Sequence, residues 1–163
     1  MSDVEIAEAS TVDAAVEAID AWIANWLDVG EFLVAGERQI VTDGTASHRW
    51  YLRFRGEEKE AITVWATLSQ RTLQTEVQLM PAPDEHVEEV LTYLMRSNAD
   101  LYGMAFAFGP EGAIYLMGRI AASQVNEEVL DRIFGSSVHY VDQHFPLAMS
   151  LAFPSRYRRR SQG

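Results

Sequence analysis

Residues 50–80 read WYLRFRGEEKEAITVWATLSQRTLQTEVQLM, and this stretch decides the fold. Three of its segments, residues 50–55, 61–68 and 72–80, place apolar side chains at every second position. A period of two residues is typical of a β-strand with one buried face, and the polar sequences GEEKE and SQR between the segments are typical of turns. The stretch therefore predicts a three-stranded antiparallel meander.

The two faces of the predicted meander differ in composition. One face is almost wholly apolar and should be covered by helices; it consists of Trp50, Leu52, Phe54, Ile62, Val64, Ala66, Leu68, Leu73, Val77 and Leu79. The opposite face is amphipathic and includes two large aromatic side chains; it consists of Tyr51, Arg53, Arg55, Thr63, Trp65, Thr67, Gln74, Glu76 and Gln78. The second face does not need to be covered by the chain itself.

A helix is predicted before the meander, separated from it by a segment with few structural signals. Apolar residues at helical spacing predict this first helix between an N-terminal cap at Ser10 and a left-handed residue at Gly30. Between residues 31 and 49 we expect weak order, with a short strand over residues 39–42 and a turn at residues 43–44.

A second helix and a hairpin are predicted after the meander. The helix should begin near Asp84, after two prolines, and stop at Asn98. The hairpin occupies residues 101–120 with its turn at residues 109–112, and its strands are nearly apolar throughout. We therefore expect both of its strands to be more buried than those of the meander, which gives five strands in all.

The chain should end with a long helix and a basic tail. Asn126 can cap this helix, Gly135 should interrupt it, and Pro146 should kink it because proline removes a backbone hydrogen bond. We predict a single domain over residues 10–153 and a disordered tail over residues 154–163. The fold class is α+β: helix, three-stranded antiparallel meander, helix, two-stranded hairpin, long kinked C-terminal helix.

Composition excludes several classes of function. The 163 residues contain no cysteine, which removes disulfides, thiolate nucleophiles and cysteine-ligated metals. A formal net charge of −11 argues against nucleic acid as a partner, because phosphate binding needs clustered cations. No apolar run is long enough to span a bilayer, and the sequence begins with acidic rather than basic residues. We predict a cytoplasmic protein with no membrane partner.

No candidate catalytic, metal or cofactor motif in the sequence has the residue spacing that its chemistry requires. His139, Asp142 and His144 are close in sequence, but His144 is rotated by roughly 140° from His139 around a helix, so we predict no metal site. The Gly135-Ser136-Ser137 sequence lacks the surrounding pattern of a nucleophile elbow. We predict no cofactor and no enzymatic activity.

The aromatic residues on the amphipathic sheet face are the candidate functional site. Tyr51 and Trp65 lie on that face with Arg53, and Tyr115 and Met117 extend it if the hairpin continues the same sheet. Trp, Tyr, Met and Arg are enriched at protein interfaces. The alternative is that a terminal helix folds over these side chains.

The order of elements resembles that of a known family. The resemblance is carried by residues 50–80, by the hairpin at 101–120 followed by NEEVLDRIFG, and by the second helix, which contains Val87, Val90, Leu91 and Leu94. Over residues 10–153 the chain resembles the YbjN family, bacterial proteins often labelled sensory transduction regulators, which share the fold of type III secretion chaperones.

This resemblance implies a non-enzymatic, homodimeric protein that acts by binding other proteins. The secretion chaperones bind extended segments of client proteins along apolar patches, but no site residue transfers from the family to this sequence. Our hypothesis is a regulatory or chaperone-like protein-binding module that presents Tyr51, Arg53, Trp65, Tyr115 and Met117 to a protein partner or client. The alternative is a small-molecule sensor or an enzyme with a pocket between helix and sheet.

Overall fold

The structure has the α+β architecture that the sequence pattern predicts, built from strands of alternating polarity and amphipathic helices. It has one strand more than the five predicted. The computed structural model describes residues 1–39, 41 and 47–158. Its helices are α1 (Asp3–Val29), α2 (Val87–Ser97) and α3 (Glu127–Ala152). Its strands are β1 (Leu33–Gln39), β2 (His48–Arg55), β3 (Ala61–Leu68), β4 (Thr72–Met80), β5 (Met104–Phe108) and β6 (Ile114–Ala121). The described strands form one antiparallel sheet in the order β1-β2-β3-β4-β6-β5.

The first helix begins earlier than the sequence pattern predicts. Ser2 caps it: the Ser2 hydroxyl accepts the Glu5 backbone N–H, and the Glu5 carboxylate accepts the Ser2 N–H at 2.7 Å. The prediction that Ser10 begins α1 is wrong, because this capping box is complete and the residues after it favour a helix. Gly30 ends the helix in the left-handed conformation (φ 74°), as predicted.

The prediction of five strands is also wrong, because β1 pairs with β2 and adds a sixth. Leu33 lies opposite Phe54, and Gln39 lies opposite Arg49. Gln39 is thus the last residue of β1, whereas the short strand predicted over residues 39–42 falls partly outside the described residues. Residue 40 and residues 42–46, which include the predicted turn at 43–44, lie outside the described residues.

The second hairpin continues the same sheet, but its two strands differ in burial. Because β6 rather than β5 pairs with β4, β5 lies at the edge of the sheet and begins at Met104 instead of Leu101. Phe108 on β5 is 62% exposed. The expectation that both strands are more buried than the meander is therefore wrong for β5, and also for β6, which has no more buried residues than β3.

The side chain of Asn98 satisfies backbone groups on the outer edge of β5. Its amide nitrogen donates to the Phe106 carbonyl at 3.1 Å, and its amide oxygen accepts the Phe106 N–H at 2.7 Å. Asn98 is also the C-terminal cap of α2, as predicted, whereas α2 begins at Val87, three residues after Asp84. One side chain therefore ends a helix and occupies part of a sheet edge.

The last helix is continuous. Asn126 caps it by accepting the Val129 N–H at 2.9 Å, as predicted. The prediction that Gly135 interrupts the helix is wrong, because Phe134 and Val138 on either side are buried in the same core. Burial of these side chains outweighs the cost of one helical glycine, roughly 1 kcal/mol. Pro146 lies inside the helix, where the kink was predicted.

The core lies between the sheet and the helices. All ten apolar residues predicted for one face of the meander are buried, and we call this side of the sheet the inner face. The ring of Phe134 on α3 lies 4.8 Å from Trp22 on α1, and both rings lie 6.2 Å from Phe54 on β2. α2 packs against α3 and adds Val90 and Leu94 to the same core. The helices therefore cover the inner face.

The turn between β2 and β3 is held by α3 and by β4. The Asp142 carboxylate on α3 accepts the backbone N–H groups of Glu57, Glu58 and Lys59 at 3.1, 2.8 and 2.8 Å. The Lys59 ammonium donates to the Gln78 carbonyl on β4 at 2.7 Å, and burial lowers the pKa of Lys59 to about 8. The connection between these two strands is thus fixed from both sides.

The chain remains packed beyond α3 as far as the described residues extend. Tyr157 packs edge-on against Phe145 at 5.6 Å, and Arg156 forms an ion pair with Asp84. Residues 159–163, the rest of the predicted tail, lie outside the described residues. Among the residues described, no helix has the length and apolarity needed to cross a membrane.

Candidate functional site

The candidate site is the side of the sheet that faces away from the helices, which we call the outer face. Its side chains are half-buried or exposed, whereas those of the inner face are buried. Strands β2, β3, β4 and β6 contribute Arg49, Tyr51, Arg53, Arg55, Thr63, Trp65, Thr67, Gln74, Glu76, Gln78, Tyr115, Met117 and Arg119. All five predicted site residues, Tyr51, Arg53, Trp65, Tyr115 and Met117, lie on this face.

An aromatic pair with a cation lies near the middle of the outer face. Tyr51 and Trp65 are directly opposite each other on β2 and β3, and their rings meet edge-on at 5.1 Å. The Arg49 guanidinium carbon lies 4.3 Å from the centre of the Trp65 ring, within the range of a cation–π interaction. The register of β2 and β3 therefore fixes a compact cluster of Arg49, Tyr51 and Trp65.

Polar side chains separate this cluster from Met117. The cross-strand row continues from Trp65 to Glu76 on β4 and from Glu76 to Met117 on β6. Gln74 donates to the Glu76 carboxylate at 3.0 Å and accepts from the Arg119 guanidinium at 2.8 Å. Met117 therefore shares a row with the aromatic pair but is separated from it by a hydrogen-bonded polar strand.

Arg53 and Tyr115 lie on the same side of the row that joins Trp65 to Met117, two residues from Tyr51 on β2 and two residues from Met117 on β6. Arg53 on β2 is exposed and lies opposite Thr63. Tyr115 on β6 lies opposite Gln78 and beside the hairpin turn, where its ring approaches the Gly109 backbone so closely that a Cβ there would be 2.2 Å away. The predicted residues thus share a face, but only Tyr51 and Trp65 are in ring contact.

The outer face has no covering helix in the described chain. The predicted alternative was that a terminal helix folds over the aromatic residues. α3 instead packs on the inner face, where Phe134 contacts Trp22 and approaches Phe54. The aromatic side chains of the outer face therefore remain accessible.

Two arginines of the outer face were missed by the sequence reasoning. Arg49 alternates with Tyr51 on β2, and Arg119 alternates with Met117 on β6. The period of two residues could have found both. Arg49 was assigned to the weakly ordered segment before the meander, and Arg119 was counted as part of an apolar strand.

Two cavities differ in size and position. An open cleft of about 690 Å³ lies at one end of the outer face and is lined by Val34, Arg53, Phe54, Arg55, Gly56, Glu57, Glu60 and Ala61. A cavity between α3 and the sheet, bordered by Thr75 and Ser136, measures only about 30 Å³. Small-molecule sites occupy about 300–1,000 Å³. The predicted alternative, a sensor or enzyme with a pocket between helix and sheet, gains no support from this second cavity.

Two of the three residues tested for metal binding, Asp142 and His144, make contacts with other parts of the chain. His144 Nδ1 lies 2.6 Å from the Tyr93 hydroxyl of α2, whereas Asp142 accepts the turn amides and His139 is exposed. Burial and the charge of His139 lower the pKa of His144, and burial raises the pKa of Tyr93. The described residues contain no group of three or more potential ligands that could hold a metal ion.

Comparison with known sequences identifies the family. The sequence model of the YbjN family, described as "Putative bacterial sensory transduction regulator", matches residues 20–148. The chain belongs to the YbjN family. This YbjN chain is 31% identical over 140 residues to an uncharacterised protein of Mycobacterium tuberculosis, covering 86% of this chain and 75% of that protein. An uncharacterised protein of Mycobacterium leprae is 25% identical over 127 residues, covering 78% of this chain and 68% of that protein.

Solved structures resemble this YbjN chain, and the one with a TM-score above 0.5 shows the same fold. One is a chain of the heterodimeric complex ExoU-SpcU from the type III secretion system of Pseudomonas aeruginosa, with a TM-score of 0.54 and 16% identity. That match covers 84% of this chain and 99% of that chain. A chain of the ExsC-ExsE complex matches with a TM-score of 0.48 and 14% identity over 84% of this chain and 96% of that chain. The predicted α+β fold of the type III secretion chaperone kind is confirmed.

Proposed function

We propose that this YbjN protein is a non-enzymatic regulatory or chaperone-like module that binds a protein partner through the outer face. We further propose that it acts as a homodimer in the cytoplasm. The partner site consists of Tyr51, Arg53, Trp65, Tyr115 and Met117, extended by Arg49 and Arg119. The chain shares its fold with a component of a protein complex of the type III secretion system, which supports a protein partner.

One observation carries this proposal: the aromatic pair lies on a sheet face that no described helix covers. Tyr51 and Trp65 are large amphipathic side chains, and Arg49 is held against the Trp65 ring. Aromatic residues and arginine supply most of the binding energy at protein interfaces, because they combine apolar area with hydrogen-bonding groups. A rigid β-sheet presents them with little further loss of side-chain entropy.

A different surface supports the homodimer. Val87, Leu91 and Met95 recur every four residues along α2 and so form one stripe, separate from the buried Val90 and Leu94. Val87 is 45% exposed and Met95 is 72% exposed. An apolar stripe of this kind is suited to pairing with the same stripe on a second copy. The outer face would then remain available to the partner.

Affinity capture from the native cytosol, combined with a measured solution mass, tests this assignment. We expect Trp65→Glu to abolish capture of partner proteins while circular dichroism and the solution mass stay unchanged. Tyr102→Glu is the matched control, because Tyr102 is 69% exposed and lies before β5, away from the outer face. Met95→Glu should convert a dimer to a monomer.

Two outcomes would contradict the assignment. If Trp65→Glu unfolds the protein, the side chain belongs to the core rather than to a binding surface. If Trp65→Glu and Tyr102→Glu capture the same partners as the unmodified protein, binding does not use the outer face.

A further inference from the structure

The outer face concentrates positive charge in an acidic chain. The chain has 24 acidic and 13 basic residues, and four arginines lie on this one face: Arg49, Arg53, Arg55 and Arg119. None of the four has a carboxylate within 4.0 Å among the described residues. Elsewhere, Arg38, Arg71 and Arg156 each pair with a carboxylate. The outer face therefore keeps guanidinium groups available to an anion.

The hydrogen bonds that these arginines make agree with a binding site that lacks its ligand. Arg49 stacks on Trp65, and its Nε atom is buried without an acceptor within the described part of the chain. Arg119 donates to a neutral amide, that of Gln74, rather than to a carboxylate. Arg53 and Arg55 are exposed at the mouth of the open cleft, where Glu57 and Glu60 also lie. Arginine groups in such settings bind carboxylates through paired hydrogen bonds.

We propose that the outer face binds an extended polypeptide segment in which carboxylate side chains alternate with apolar ones. This inference rests on the proposed function and names the chemistry of its partner. Along β2 the side chains of Arg49, Tyr51, Arg53 and Arg55 recur about every 7 Å, the repeat of alternate residues in an extended chain. β2 has eight residues, so an extended segment of about the same length lies along this row of side chains.

A polypeptide segment fits the face better than single-stranded nucleic acid does. Binding of nucleic acid to aromatic residues depends on a ring face against which a base can stack. Arg49 already occupies one face of the Trp65 ring, and Tyr51 meets that ring edge-on. A polyanion longer than the outer face would also meet the acidic remainder of a chain with a net charge of −11. Salt screens charges beyond about 8 Å, so a short segment meets mainly the outer face itself. There the four arginines outnumber Glu37, opposite Tyr51, and Glu76, opposite Trp65.

Fluorescence anisotropy with defined probes tests this chemistry on the full chain. The first probe is a ten-residue peptide that alternates Glu with Leu or Ala; the second replaces each Glu by Gln; the third is a ten-residue oligothymidylate. The binding variant is the double substitution Arg53→Glu and Arg55→Glu. The matched control is Arg96→Glu with Arg158→Glu, which changes the net charge equally at exposed sites on α2 and near the C-terminus.

We expect the acidic peptide to bind the unmodified protein at least tenfold more tightly than the amide peptide or the oligonucleotide. The binding variant should lose at least tenfold in affinity for it, and the control less than twofold. Raising the salt concentration should weaken binding in the unmodified protein and the control.

Any other outcome overturns the inference. The proposed function is tested separately by the capture experiment. Equal binding of the acidic and amide peptides would show that the carboxylates are not recognised. An equal loss of affinity for the acidic peptide in both double variants would show that binding responds to net charge alone. Tighter binding of the oligonucleotide would assign the face to nucleic acid, and no binding of any probe would remove short acidic segments as ligands. If the acidic and amide peptides bind equally, or if no probe binds, partner capture that depends on Trp65 can still succeed.

Discussion

Trp50 and Trp65 show how differently the two faces of one sheet use the same side chain. Trp50 lies on the inner face, is 0% exposed, and donates its indole N–H to the Asp20 carboxylate on α1 at 2.9 Å. Trp65 lies on the adjacent strand but on the outer face, where it is half-buried beside Arg49 and Tyr51. Its indole N–H has no hydrogen-bond acceptor among the described residues.

This difference separates a tryptophan that stabilises the fold from one that is available for binding. A buried tryptophan needs a partner for its N–H group, and α1 supplies that partner to Trp50. Trp65 combines an accessible ring with an indole N–H that no described residue accepts. Both residues are tryptophans on paired strands but occupy opposite faces, and only the inner face is covered by described helices.

The largest expected effect comes from removing the buried tryptophan, with removal of the outer-face tryptophan as the comparison. Trp50→Ala should lower the free energy of unfolding by about 3–5 kcal/mol, because it leaves a cavity beneath α1. Trp65→Ala should cost about 1 kcal/mol or less, since it loses only partial burial and one cation–π contact. Chemical denaturation monitored by circular dichroism measures both. Equal losses would show that the outer face is part of the core.

A smaller effect is expected from the residue that fixes the turn between these two tryptophan-bearing strands. Asp142→Ala removes the acceptor of the Glu57, Glu58 and Lys59 amides and should cost about 2 kcal/mol of unfolding free energy. Asp142→Asn, which keeps one carbonyl oxygen, should lose less. Gln143→Ala is the control, because Gln143 is exposed on the same helix. An Asp142→Ala protein as stable as this control would refute a structural role for the carboxylate.

The smallest expected effect is a pH dependence of the free energy of unfolding. It arises from His144 on α3, in the helix layer that covers the inner face. The pKa of His144 is lowered from its ordinary value of 6.5, so the folded state disfavours the charged imidazole. Below pH 6.5 the unfolded chain takes up a proton more readily than the folded chain, and the free energy of unfolding therefore falls. The loss should be about 0.5 kcal/mol or less, because solvent screens a half-buried group.

The acidic residues of the chain also titrate in this range, so the test compares variants. His144→Gln should show a shallower fall in unfolding free energy between pH 6.5 and 5 than the unmodified protein does. His139→Gln removes only the smaller, electrostatic cause of the lowered His144 pKa and should keep most of the fall, because burial is the larger cause. Parallel pH profiles for His144→Gln and the unmodified protein would remove His144 from this role.

Local periodicity was sufficient to predict much of the sheet. The alternation in residues 50–80 assigned Trp50 to the inner face and Trp65 to the outer face, because a period of two fixes which side each residue takes. The same rule correctly placed Tyr115 and Met117 once the hairpin joined the sheet. Whether these residues bind a partner is a separate question that periodicity does not address.

Features that depend on distant parts of the chain could not be predicted. β1 contains Gly36, Glu37 and Arg38, which carry little strand signal, and it becomes a strand because β2 offers it a pairing edge. The role of Asp142 depends on amides that lie 83 to 85 residues earlier. Asn98 was predicted to end a helix, but its contact with β5 arises only when the hairpin folds back.

The position of Asp142 in the sequence also determines when its hydrogen bonds to the turn can form during synthesis. The ribosome releases residues 56–60 well before it adds the helix that carries this carboxylate, so the three turn amides first bond to water. The meander can then form, but its first turn gains these acceptors only after α3 docks. Slow hydrogen exchange at Glu57, Glu58 and Lys59 would therefore appear only in chains long enough to include α3, and would mark completion of folding.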